Sequence, residues 1–160
     1  MQVVGHGLRV IGLVLIAAAC SGGEVICEPA VFATADPNPD ARASTSDDID
    51  VWGLFYPPTF DDIVGQPVEI QLPGPDSPLN NDAKVVWRAT GEGEFSITAA
   101  GPNGQVVPPV WVDKHLGSLW DRPGEEWGTG WDFPEAGCWT FTIVRGDDEA
   151  EISIEVLPAG

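Results

Sequence analysis

The stretch GSLWDRPGEEWGTGWDFPEAGCW, residues 117–139, holds four of the chain's seven tryptophans: Trp120, Trp127, Trp131 and Trp139. A tryptophan buries a large area only when its ring meets a prepared surface and its indole N–H meets an acceptor, so these four form a core, a recognition surface or both. Between them Pro123, Gly124, Gly128, Gly130, Pro134 and Gly137 leave no room for a helix of useful length. The stretch therefore reads as short extended pieces, and the fold as β structure.

Working outward, the residues that follow give the clearest strand pair. Trp139, Phe141 and Ile143 alternate with Cys138, Thr140 and Thr142. After the turn Arg145-Gly146-Asp147-Asp148, Ile152, Ile154 and Val156 alternate with Glu151, Ser153 and Glu155. Upstream, Val68, Ile70 and Leu72 alternate with polar residues, as do Phe95, Ile97 and Ala99. Asn80-Asn81-Asp82 and Gly101-Pro102-Asn103-Gly104 are turn sequences. Strands are expected at 51–56, 67–72, 84–90, 93–100, 105–112, 126–133, 138–145 and 149–157. This spacing, without an amphipathic helix, is that of an all-β sandwich occupying residues 51–160.

The N-terminus reads as an export signal over residues 1–19, with Arg9 ahead of an apolar run, Val10 to Ala19. That run is too short to span a bilayer. Ala17, Ala18 and Ala19 before Cys20, with Ser21-Gly22-Gly23 after it, resemble the lipobox of bacterial lipoproteins. The resemblance implies lipidation of Cys20 and attachment to the membrane through acyl chains on the extracytoplasmic face. An ordinary secretory signal, with the protein released, is the alternative. Residues 20–50, rich in Pro, Ala, Ser, Thr and Asp, are expected to be a disordered tether.

Cleavage before Cys20 removes Arg9 and leaves six basic residues against 25 acidic ones, a net charge of −19. Such a chain is not a nucleic-acid binder, and it repels anionic head groups. The excess acid serves solubility.

Arg122-Pro123-Gly124-Glu125-Glu126-Trp127-Gly128, followed by Phe133-Pro134-Glu135-Ala136-Gly137-Cys138-Trp139, resembles the C-terminal signature of uncharacterised secreted bacterial lipoproteins with an immunoglobulin-like domain. The resemblance implies an immunoglobulin-like antiparallel β-sandwich and no particular activity.

Catalytic chemistry is sparse. After export His115 is the single histidine, and no serine sits in a nucleophile elbow. With Cys20 lipidated, only Cys27 and Cys138 remain as soft ligands, too few for a zinc or copper site. The pairs Asp47-Asp48, Asp61-Asp62 and Asp147-Asp148 lack calcium-loop spacing. No cofactor, metal or catalysis is expected. The favoured reading is a non-catalytic binding or structural module; the alternative is an accessory domain of a cell-envelope hydrolase or of a redox or metal-handling system. Cys27 and Cys138 either pair in an oxidising compartment or stay free.

The long connection Asp113–Glu125 is the candidate binding surface, toward a cell-envelope protein or a glycan. It carries His115, Trp120, Arg122 and Glu125, with Trp127 just beyond. Trp120 is either an exposed anchor or a lid over the open end of the sandwich, with Arg122 latched to Glu125 or Glu126.

Overall fold

The computed structural model describes residues 27–34, 39–45, 48–56, 62–72, 83–116 and 118–160. The expected export signal at residues 1–19, Cys20, Asn80-Asn81-Asp82, Asp47 and Asp61 lie outside the described residues. In chain order the strands are β1 (Asp40–Arg42), β2 (Ser44–Thr45), β3 (Val51–Leu54), β4 (Glu69–Gln71), β5 (Ala83–Ala89) and β6 (Phe95–Ala100). They continue with β7 (Val106–Val107), β8 (Trp111–His115), β9 (Glu125–Trp131), β10 (Gly137–Arg145) and β11 (Asp148–Leu157).

Two sheets pack face to face. The first has the order β1-β3-β5-β9-β8 and the second β2-β11-β10-β6-β7, with β4 also on β11. Taking β3 as strand A, β4 as A′, β5 to β7 as B, C and C′, and β8 to β11 as D to G gives the sheets A-B-E-D and A′-G-F-C-C′. That is the immunoglobulin-like sandwich. One pair departs from an all-antiparallel arrangement, because β4 runs parallel to β11.

Where one strand was expected over 105–112, the structure has two. Pro108 and Pro109 have no N–H to donate, so the ladder to β6 ends at Val107, and the chain crosses to the other sheet as β8.

The expected tether is a larger correction. From Cys27 onward the described residues belong to the fold: Phe32, Ala41, Ala43 and Ile49 are buried in the main core. Phe32 N–H donates to Gln66, Ala30 to Ser153 and Ala43 to Val51. Strand β1 pairs with β3, and β2 pairs with β11. The small residues that made this segment resemble a linker fit it against strands with little room to spare, and its backbone groups find partners in edges that would otherwise stand open. Cys27 and Cys138 form a disulfide, with Cα atoms 5.4 Å apart, which fastens the start of the described chain to the beginning of β10.

The inward faces follow the alternation in the sequence. Trp139, Phe141 and Ile143 are fully buried, as are Ile154 and Val156, opposite Val51, Val85 and Trp87 of the first sheet. Phe141 meets Trp87 and Trp131 edge-on, with ring centroids 5.0 and 4.8 Å away. The indoles are satisfied internally. Thr129 Oγ1 accepts from Trp87 Nε1 at 2.9 Å and Trp131 Nε1 at 2.7 Å, and donates to the Val85 carbonyl at 3.0 Å. One hydroxyl thereby supplies the acceptor that two buried indoles require.

Candidate functional site

The outer face of the first sheet is assembled by strand register. Across β3, β5, β9 and β8 one row reads Trp52, Arg88, Glu126, His115, and the next reads Leu54, Val86, Gly128, Asp113. The glycines make the face uneven. A Cβ on Gly128 would come within 2.8 Å of His115 Nε2, and one on Gly130 within 2.0 Å of Trp111 Nε1. Without side chains at these positions, the rings of His115 and Trp111 lie close against the strand.

The connection from β8 to β9 folds down onto this face. Trp120 is only 6% exposed and packs with Leu54, Val86 and Trp52 in a second apolar cluster, apart from the main core. It is therefore a lid, as one of the two readings had it, but over the outer face of the sheet and not over an open end. Its Nε1 donates to Asp40 Oδ2 at 2.9 Å.

Arg122 is latched, though to a different carboxylate from the two expected. Its Nε and Nη2 donate to the two Asp40 oxygens at 2.7 and 3.0 Å, and its guanidinium lies 4.2 Å over the Trp52 ring. The hydrogen bonds to Asp40 raise the Arg122 pKa further above its already high ordinary value. Asp40 is 1% exposed, and its carboxylate is satisfied by this fork, by the indole and by Thr34 Oγ1, which donates to Oδ1 at 3.1 Å.

The two expected partners of Arg122 are engaged elsewhere. Glu125 pairs with Lys114 and Arg145, and the hydrogen bond from Lys114 is the main cause that holds its carboxyl below the usual range. Glu126 accepts from Arg88 Nε at 3.0 Å and faces His115 Nδ1 at 3.3 Å. Arg88 also donates to the carbonyls of Arg122 and Gly124, which ties down the returning chain. Gly124 has φ 92°, and a Cβ there would meet the Ala89 carbonyl oxygen at 2.1 Å, so that turn takes only glycine.

Trp127 belongs to the interior: it stacks on Phe95 with centroids 4.2 Å apart, and the Arg145 guanidinium lies 4.7 Å from its ring centroid. Of the five candidate binding residues, then, Trp120, Arg122 and Trp127 are committed to the fold, while His115 and Glu125 keep partial access to solvent.

His115 and Trp120 meet in a cleft of about 250 Å³, together with Leu54, Tyr56, Lys84, Val86 and Glu126. Ser118 and Leu119 complete it. Burial chiefly, and the Glu126 charge secondarily, push the Tyr56 phenol above its ordinary pKa. Tyr56, Lys84 and Leu119 were not singled out in the sequence; the available signal was that Leu116 and Leu119 sit in a connection without strand alternation. Among the described residues no group of three or more His, Cys, Asp or Glu is placed to hold a metal ion. Compared with protein-family models, characterised proteins and solved structures, the chain matches none of them.

Proposed function

We propose that this chain is an exported lipoprotein, held on the extracytoplasmic face of a membrane by acyl chains on Cys20, whose immunoglobulin-like domain binds and does not catalyse. The observation that carries the reading is the Cys27–Cys138 disulfide. Such bonds persist in oxidising compartments, which is where the N-terminal export signal would send the chain. The lipobox-like Ala17-Ala18-Ala19-Cys20 and the Trp-rich signature supply the rest. The binding role is supported by the cleft beside Trp120, where apolar walls and a few polar groups converge without the ligand sets of a metal or nucleophile site.

The disulfide changes the expected geometry of attachment. Only residues 21–26 separate Cys20 from Cys27, so the two cysteines can stand at most about 25 Å apart. The domain would ride close to the membrane. Mass spectrometry of the N-terminal peptide is expected to find acyl chains on Cys20, and Cys20→Ala to send the protein into the medium or leave it unprocessed. A Cys20→Ala protein that stays in the membrane fraction, with no acyl group on the parent chain, would refute the anchor.

A further inference from the structure

We propose that the cleft beside Trp120 binds a small organic acid: a carboxylate carried on an apolar or monocyclic aromatic body. This deepens the binding reading above and rests on it. The apolar half of the argument is the lining. Leu54, Val86 and Trp120 form a buried floor, while Leu119 stands 98% exposed at the wall. An isobutyl group held in water beside an apolar floor is a surface that a ligand body would cover.

The polar half is a set of donors whose one carboxylate neighbour is already occupied. Lys84 lines the cleft and makes no ion pair among the described residues, although the chain carries 25 acidic residues. The other five described Lys and Arg residues are all paired, with Asp50, Glu126, Glu125, Asp40 and again Glu125. Ser118 Oγ accepts from Trp120 N–H at 3.0 Å, which leaves its hydroxyl hydrogen free to turn outward. The Tyr56 phenol keeps its proton and is a donor too. Glu126, the lining carboxylate, is engaged by Arg88 and His115. An ammonium and two hydroxyls around an apolar floor suit an acceptor-only, anionic head on a hydrophobic body. A volume of about 250 Å³ lies below that of pockets for drug-sized ligands, which limits the body to roughly ten heavy atoms.

The test is a ¹H–¹⁵N NMR titration of the full-length chain with phenylacetate, and with phenylacetamide as the uncharged probe of the same shape. Phenylacetate is expected to shift the amides of Leu54, Val86, His115 and Leu119 saturably, with Kd on the order of 1 mM. Phenylacetamide should bind about tenfold more weakly, the loss of one charge-assisted contact. Lys84→Met should reduce phenylacetate to the phenylacetamide level and leave phenylacetamide unchanged, and Leu119→Ser should weaken both. Both side chains are exposed, so the remaining spectrum reports that each variant is folded. Equal affinity for the two probes, shifts that never saturate, or indifference to Lys84→Met would overturn the proposal. None of these readouts involves Cys20, so failure here leaves the anchor untouched, and a chain without acyl groups leaves the cleft result untouched.

Discussion

The molecule has two apolar clusters built on different plans. Between the sheets, Trp87, Trp131, Trp139 and Phe141 are sealed from water, and Thr129 satisfies two of the indoles from inside. On the outer face, Trp120, Leu54 and Val86 are covered by one connection, and the lid is held by a buried carboxylate, Asp40, contributed from 80 residues away. Shape complementarity holds the first cluster. The second depends on one charged fork, and its border with solvent is the cleft. A layer held that way is expected to loosen at a smaller cost than the inner one.

The largest expected effect tests the inner cluster. Phe141→Ala removes the ring that meets both Trp87 and Trp131, and should cost about 4 kcal/mol, readable as a drop in the denaturant midpoint. Next is Thr129→Val, which keeps the shape and leaves two indole N–H groups without their acceptor. A loss of about 3 kcal/mol is expected, and a near-neutral result would show that polar satisfaction is not what distinguishes the inner layer.

The outer layer should give smaller numbers. Trp120→Ala and Asp40→Asn should each destabilise by about 2 kcal/mol, and the double variant should lose less than the sum, because both changes release the same lid. Strict additivity in a thermal-melt cycle would break the picture of a single latched unit.

The smallest effect is a titration. Tyr56 is the one tyrosine, so its phenolate absorbance needs no assignment. Its pKa should lie above the ordinary 10.0, and Glu126→Gln should bring it part of the way back, leaving the larger contribution of burial. Because the folded value is the higher one, the linked stability is complete below the ordinary range and is lost as pH rises through the folded pKa. A titration at the ordinary value, unmoved by Glu126→Gln, would show that neither burial nor the Glu126 charge acts on the phenol.

How much of this was legible in the sequence follows from what is local. Alternation in β10 and β11 marked the inner face residue by residue, because a half-buried strand must show a period of two. The outer layer has no period to show. Trp120 and Arg122 sit in a connection, and their partner Asp40 lies in a segment whose alanines, prolines and aspartates have the composition of a linker. What makes that segment structural is long-range: the ladders to β3 and β11, and the disulfide. Phe32, beside Val31, and Ile49, set among aspartates, were large apolar residues that hinted it had somewhere to pack. Lys84 looked like any solvated strand residue until the other described cations were seen to be paired.

The disulfide also decides how the molecule carries load. Force applied ahead of Cys27 passes through a covalent bond into β10, which lies between β11 and β6 within its sheet. The chain from Cys27 to Cys138, a separation of 111 residues, is bypassed. Stretched between its ends, the oxidised protein can release only the residues outside that loop. Reduction would add roughly 39 nm of slack at full extension. For a domain fastened by its N-terminus, as proposed above, the bond would act as a strain limiter, whatever it contributes to the folding equilibrium.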